Sequence, residues 1–370
     1  MRKKVCILTS VHLVFDVRIF QKEAKSLVNA GYDVTLIAQH DREETIDAIK
    51  IVGLQKPRKR IERMTKTAWS AFRRALSADA DIYHFHDLEL MPQCLLLKAL
   101  GHKVIYDVHE DVPRQNLTKD YLPVFIRKPI SWMISALEWI GAKCFDGIAP
   151  ATPKIALRFP AHKTVTIQNF PILDELIDTE STSYRIRPPS FAYIGGISEK
   201  RGVRQLVQAL ALFSGTPVVK LELAGSMIPA GIIESLKTTA GWSSVHYHGT
   251  VSRKEVSHIL SGVKAGLVTL HPIINYLDSY PVKMFEYMAV GLPVIASDFP
   301  LWRRIIDGSG CGLLVDPLNP EAIAEAMRWI LDHPADAEAM GRRGREAVES
   351  VYNWNVESIK LYRLYDMVLS

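Results

Sequence analysis

A chain of 370 residues exceeds one ordinary domain and suits two of about 150–200 residues each. With 48% apolar and 23% charged residues it is not a disordered chain, and four scattered cysteines (Cys6, Cys94, Cys144, Cys311), without a C-x-x-C pair, exclude a disulfide framework. The formal charge of +5 is uneven: residues 1–170 hold 26 Lys and Arg against 18 Asp and Glu, the remainder 19 against 22, so an anionic partner is expected on the first half.

The chain opens Met-Arg-Lys-Lys-Val-Cys-Ile-Leu-Thr, basic and then apolar, like a secretory leader. The apolar run soon reaches His12 and Asp16 without a small-residue cleavage site, so a first strand and a cytoplasmic protein are expected. No segment offers the ~20 uncharged apolar residues of a membrane span.

Val5–Thr9 reads as a strand, followed by a periodic stretch Arg18–Ala30 and a strand Val34–Ala38. Next come Ile82–Phe85, a helix around Leu90–Leu100, the strand Lys103–Tyr106, an amphipathic stretch from Ile126 to Lys143, and the strand Gly147–Ala149. Strands separated by helix-length segments imply parallel pairing in a doubly wound sheet. The pattern restarts at Ser190–Ile194, with a helix Gly202–Phe213, and continues through Lys220–Leu223, Val245–His248, Ala265–Leu270, Met284–Val290, Pro293–Ala296 and Gly312–Val315. Two Rossmann-like, doubly wound α/β domains are therefore expected, at 1–175 and 187–352. Residues 174–189 form a polar connector, and a last helix within 353–370 returns to the first domain.

In such sheets ligands bind at the carboxyl ends of the strands, and in a tandem pair in the cleft between the domains. In the second half, Pro281–Gly291 reads as a helix with Pro in its first turn and Phe285, Met288 and Ala289 toward a core. Lys283 and Glu286 take the other side. A helix start with a lysine beside it suits a diphosphate, and a carboxylate one turn further suits a ribose diol. The same residues also fit an ordinary surface helix.

In the first half, two strands end in polar clusters, Ile82-Tyr-His-Phe-His-Asp and Val104-Ile-Tyr-Asp-Val-His-Glu-Asp. The His84-x-His86 pair is a metal-ligand pattern, so a metal-dependent hydrolase is an alternative; it predicts a single eight-fold barrel. His84 also reads as a buried support of the sheet. Asp79-Ala-Asp81 precedes a strand and reads as a turn. No metal is expected.

The string Lys283-Met-Phe-Glu-Tyr-Met-Ala-Val-Gly-Leu-Pro-Val-Ile-Ala-Ser resembles the signature of the retaining GT-B glycosyltransferases of glycosyltransferase family four. The resemblance implies a GT-B fold, with two Rossmann-like domains facing across a cleft, and transfer from a nucleotide-diphosphate sugar without a cofactor. The donor is taken as a UDP-sugar by default. It places Glu286 on the ribose, and Asp278, where the family has a glutamate, near hydroxyls of the donor sugar. Tyr193-Ile-Gly-Gly-Ile-Ser-Glu-Lys-Arg-Gly-Val is similar to the family's diphosphate loop, with Gly196 in the place of an arginine and Arg201 in that of a lysine. Lys283 then replaces the missing cation, and Lys200 competes with Arg201 for its role. His109, closing a "D-x-H" strand end, is implied to contact the donor sugar.

On the acceptor side the candidates are His12, Asp16, Arg18, Asp87 and Glu110, with Asp111 beside them. Asp16 and Arg18 either orient the acceptor or form a local ion pair. The acceptor is expected to be a glycan or a lipid-linked group, in cell-surface polysaccharide or glycolipid synthesis, with no nucleic-acid partner. A nucleotide-sugar epimerase or an inactive GT-B binding protein is the other reading. The basic stretch 56–74, interleaved with Ile61, Met64, Trp69 and Phe72, is either an anionic-membrane contact on the inner face or a solvated helix.

Overall fold

The apolar run behind the first lysines becomes β1 (Lys4–Leu13) in a computed structural model that describes residues 2–117, 123–175, 183–215 and 218–370. The chain divides into two units: unit 1 is Met1–Asn169 with Asn355–Ser370, and unit 2 is Phe170–Trp354. Of the expected connector 174–189, residues 176–182 lie outside the described residues.

Unit 1 is built on β1, β2 (Asp33–Gln39), β3 (Glu44–Ile46), β4 (Ile49–Leu54), β5 (Ile82–Phe85), β6 (Lys103–Val108) and β7 (Gly147–Pro150), in the order β3-β4-β2-β1-β5-β6-β7. All neighbours are parallel except β3 with β4. Central strands covered on both faces read as apolar runs, and β5 and β7 are buried throughout. Among the strands, the hairpin β3–β4 is what sequence reasoning missed. Its two-residue turn, Asp47-Ala48, takes φ of 50° and 60° without the glycine that usually announces such a turn.

The last helix, Trp354–Leu369, completes unit 1. Its Tyr365 hydroxyl meets His84 Nδ1 at 2.9 Å, and its Glu357 carboxylate accepts from the Gln168 N–H at 2.8 Å. A Cβ on Gly147 would lie 2.9 Å from both Leu364 Cδ1 and Val368 Cγ2, so a larger residue there would crowd the side chains of this helix.

Unit 2 contains β8 (Ser190–Ile194), β9 (Lys220–Ala224), β10 (Val245–Gly249), β11 (Ala265–Val268), β12 (Val294–Ser297) and β13 (Gly312–Val315), all parallel, ordered β10-β9-β8-β11-β12-β13. Its core runs from Phe191 and Leu223 through Met284, Phe285 and Met288 to Trp302 and Ile330. Two separate sheets with helical crossovers are the α/β architecture that the strand–helix alternation predicts. They overturn the eight-fold barrel, and with it the basis for reading a hydrolase from His84-x-His86.

Candidate functional site

In unit 2 the polar groups gather where β8 ends. Ile194 gives way to Gly195 and Gly196, a short turn Glu199–Arg201, then Gly202 and the helix Val203–Leu210. Gly202 sits at φ +72°, and a Cβ there would fall 1.9 Å from the Thr269 carbonyl oxygen, so only glycine lets this turn close. A Cβ on Gly196 would lie 3.1 Å from Arg201 Nη1, so the space beside Gly196 is filled by the guanidinium. Arg201 faces the phenols of Tyr193 and Tyr276. Burial works against its charge, but the two phenols outweigh it and its pKa is raised.

The helix Val282–Ala289 starts beside this loop, with Pro281 at its cap position and no side-chain cap. Lys283 is buried, its Nζ 3.5 Å over the Tyr193 ring. That ammonium has no hydrogen-bond partner among the described residues. Burial first, and the nearby Arg201 second, hold the lysine pKa well below its ordinary value. Among the described residues, Arg201 and the open first turn thus present positive charge, Lys283 stands beside them as an amine whose protonation an anion would favour, and no carboxylate is bound to either side chain.

Glu286, one turn on, is 9% exposed, and its Oε1 accepts from Arg253 Nη1 at 2.7 Å. Arg253 Nη2 reaches Glu175 at 3.3 Å. Arg253 was not foreseen. It stands at the start of the helix Arg253–Ser261, behind a Ser252–Glu255 capping box, where a basic residue reads as surface. Asp278 lies half-buried just after the short helix Ile274–Leu277. The Lys200 carbonyl accepts from the His271 N–H at 3.0 Å.

In unit 1, His109 follows β6 and sits over a buried polar network. Its Nε2 lies 2.8 Å from His86 Nδ1 and 3.1 Å from Asp107 Oδ1. Burial outweighs Asp107 and pushes His109 down to about 4, so the ring is neutral near pH 7. The His12 ring stacks on it at 5.5 Å, with Nδ1 3.3 Å from Asp16 and Nε2 3.6 Å from Asp87. The bond to Asp16 raises the His12 pKa despite burial.

Arg18 must be removed from the acceptor side. It is 3% exposed and turned inward, donating Nη2 to Asp107 at 2.8 Å and Nη1 to the Ile167 carbonyl at 3.0 Å. Nor is there a local Asp16–Arg18 hydrogen-bonded ion pair: Asp16 Oδ1 instead caps the π-helical stretch Val17–Ala24 by accepting from the Arg18 and Ile19 N–H groups. Asp87 uses one oxygen to gather the Thr9 hydroxyl and the Ser10 and Val11 N–H groups, fixing the bend of β1, and turns the other toward His12. Glu110 is exposed and accepts from Gln115. Asp111 caps the helix Val112–Asn116 and pairs with Arg158.

Two clusters of ligand-type atoms in unit 1 are tight enough to hold an ion: Glu23, His84 and His86, and His86, Asp107 and His109. The Arg18 guanidinium already lies 2.9 Å from Glu23 and 2.8 Å from Asp107, so positive charge is supplied there by the chain itself.

Known proteins resemble both halves. Residues 178–347 match the family model described as glycosyl transferases group 1, and residues 17–165 the glycosyl transferase 4-like domain. The D-rhamnosyltransferase WbpZ of Pseudomonas aeruginosa is 25% identical over 297 residues, covering 75% of this chain and 71% of that protein. Among solved structures, the sucrose-phosphate synthase of Thermosynechococcus elongatus superposes with a TM-score of 0.79 at 19% identity, over 100% of this chain and 99% of that one. Anabaena HepE in complex with UDP and glucose gives 0.76 at 10% identity, over 99% and 100%.

Proposed function

We propose, for a chain that belongs to the group 1 glycosyltransferases and carries their GT-B fold, that the sugar it transfers arrives on a nucleotide diphosphate and is passed to an acceptor hydroxyl with retained configuration. The observation that carries this reading is the buried, unpartnered Lys283 ammonium beside Arg201 at an open helix start. A buried amine without a partner is costly to charge, and a diphosphate is the ligand that offsets this cost.

In this assignment Lys283, Arg201 and the first-turn amides hold the diphosphate and stabilise the charge that grows as the nucleotide departs. The bond from the anomeric carbon to the phosphate oxygen breaks, and one to the acceptor oxygen forms on the same face, with the hydroxyl proton passing to the departing diphosphate. Glu286, held by Arg253, takes the ribose diol. Gly196 lets the loop approach the phosphates, and Asp278 and His109 are assigned to hydroxyls of the donor sugar. His12, Asp16, Asp87 and Glu110 are assigned to the acceptor side. No cofactor is called for. A UDP-sugar is proposed as donor, since one of the structural relatives binds UDP and glucose, and a polysaccharide or glycolipid precursor as acceptor.

A thermal-shift screen against UDP, GDP, ADP and TDP sugars tests the reading, followed by product analysis with the sugar that stabilises most. A shift with one nucleotide class and a retained anomer in the product is expected. A shift without any transfer leaves the nucleotide site but sinks the transferase mechanism in favour of an epimerase or a binding protein. No shift with any nucleotide defeats the donor-site assignment.

A further inference from the structure

The helix Val124–Cys144 is unlike the others in what it exposes. Its inward positions are firmly engaged: Ser131 donates to the Pro113 carbonyl at 2.9 Å, and Glu138 accepts from the Tyr106 hydroxyl at 3.2 Å and pairs with Arg158. Gly141 allows the close approach of Phe145 and Met91. The opposite face carries Phe125 at 80% exposure, Trp132 at 77%, Met133 at 65%, Trp139 at 60% and Ile140 at 45%. Phe125, Trp132 and Trp139 recur every seven residues, two helical turns apart, so they stand in one line. A contiguous apolar face of this kind marks an interaction surface.

The charge on that face has one sign. Lys128 and Lys143 are exposed, with Lys143 Nζ 3.7 Å over the Trp139 ring. The helix has a single acidic residue, Glu138, and it is buried. An aromatic line with two lysines and no carboxylate suits the boundary of an anionic bilayer, where tryptophan rings sit at headgroup level and ammonium groups meet phosphates. No described helix is long and apolar enough to cross a membrane, so the helix would lie along the surface. A second copy of the chain fits this face less well. The positions that would alternate with the aromatics in a helix–helix seam hold Pro129, Ala136 and Lys143, and none is a branched apolar knob.

The stretch 56–74 presents a weaker surface. Arg63 is paired with Glu89 at 2.8 Å, Arg74 with Glu43, and Phe72 packs against the core. Ile61 and Trp69 remain exposed there.

We infer that the outward face of Val124–Cys144, through Phe125, Trp132, Met133, Trp139 and Ile140 flanked by Lys128 and Lys143, docks the protein on an anionic phospholipid surface. This does not depend on the donor assignment, because every residue involved lies in unit 1 and outside the groups assigned to the reaction.

The test is co-sedimentation of the full chain with vesicles of phosphatidylcholine alone and of phosphatidylcholine mixed with phosphatidylglycerol. Melting curves and the nucleotide-induced thermal shift serve as controls for folding and for unit 2. Binding to the mixed vesicles and not the neutral ones is expected, with a blue shift of tryptophan emission and weakening by salt. Trp132→Ser with Trp139→Ser reduces it at least about tenfold, and Lys128→Glu with Lys143→Glu abolishes the preference for anionic lipid. Ile61→Ser with Trp69→Ser changes binding little. Wild-type protein that ignores the mixed vesicles overturns the inference, as does binding that survives the double tryptophan change or is lost with the 61/69 pair alone. A dimer that the tryptophan changes dissolve, without vesicle binding, would assign the face to a second copy instead.

Discussion

The Ile194 backbone N–H donates to the Tyr287 hydroxyl at 2.8 Å, tying the end of β8 to the helix that carries Lys283 and Glu286. Tyr287 is fully buried, and its ring fills the space beside Gly266, where a Cβ would fall 2.0 Å from the ring. One phenol therefore sets the height of the glycine loop against the helix start, and burial pushes that phenol well above its ordinary pKa.

Tyr287→Phe removes the acceptor and leaves a buried N–H unmatched. A loss of about 1–3 kcal/mol is expected in urea unfolding of the chain. Nucleotide affinity should fall as well, since the loop and the helix lose their common reference. A variant with unchanged urea midpoint and unchanged affinity would deny Tyr287 this role.

Lys283 gives a proton-linkage prediction. Its pKa is held down by burial, and an adjacent diphosphate would raise it again. Between the free and bound values, nucleotide binding takes up a proton, so affinity declines as pH rises through that window. Calorimetry in two buffers of different ionisation enthalpy should show net uptake for the wild type and less for Lys283→Met. Equal uptake in both proteins would place the proton elsewhere.

Arg253 offers the plainest test of the Glu286 assignment. With Arg253→Ala the carboxylate loses the bond at 2.7 Å that orients it. A bond to a charged group contributes about 1.5–3 kcal/mol, so nucleotide affinity should drop about tenfold or more, with a smaller loss for a nucleotide lacking the ribose diol. An unchanged affinity would separate Glu286 from the ribose.

Acid sensitivity should centre on unit 1. The unfolded chain protonates His109 near its ordinary value of 6.5, whereas burial lowers the native value to about 4. Between these values the unfolded state binds more protons, so stability is lost as pH falls, at up to about 1.4 kcal/mol per pH unit from this one group. His86, lowered by burial, acts in the same direction, and Glu23, raised by burial, in the opposite one. His109→Gln should flatten the dependence between about pH 6.5 and pH 4 in urea midpoints. A wild type with no such slope would contradict the burial of the neutral ring.

Strand and helix alternation was legible because buried parallel strands are apolar runs, as in Ile82–Phe85 and Ser190–Ile194. The hairpin β3–β4 was not, since Asp47 and Ala48 adopt positive φ without the usual glycine. The loop around Gly196 and Arg201 and the helix start at Lys283 were legible as local strings. The partners that set their chemistry were not: Arg253 and Glu286 are 33 residues apart, Arg18 and Asp107 89, and only folding joins them. Amphipathicity in 126–143 was equally readable. Which side stays wet depends on Ser131 and Glu138 being engaged from elsewhere.

The order of the chain through its two units sets an order of manufacture. Unit 1 is interrupted after Asn169 and resumes at Asn355, and within unit 2 the Trp354 N–H donates to the Pro171 carbonyl at 2.9 Å, so the inserted segment begins and ends at one spot. On the ribosome the segment 170–354 can close on itself while the earlier half still waits for the residues that bring Tyr365 to His84. The half of the enzyme that is made first is thus the last to be completed, because the helix that covers His84 is the final stretch of the chain.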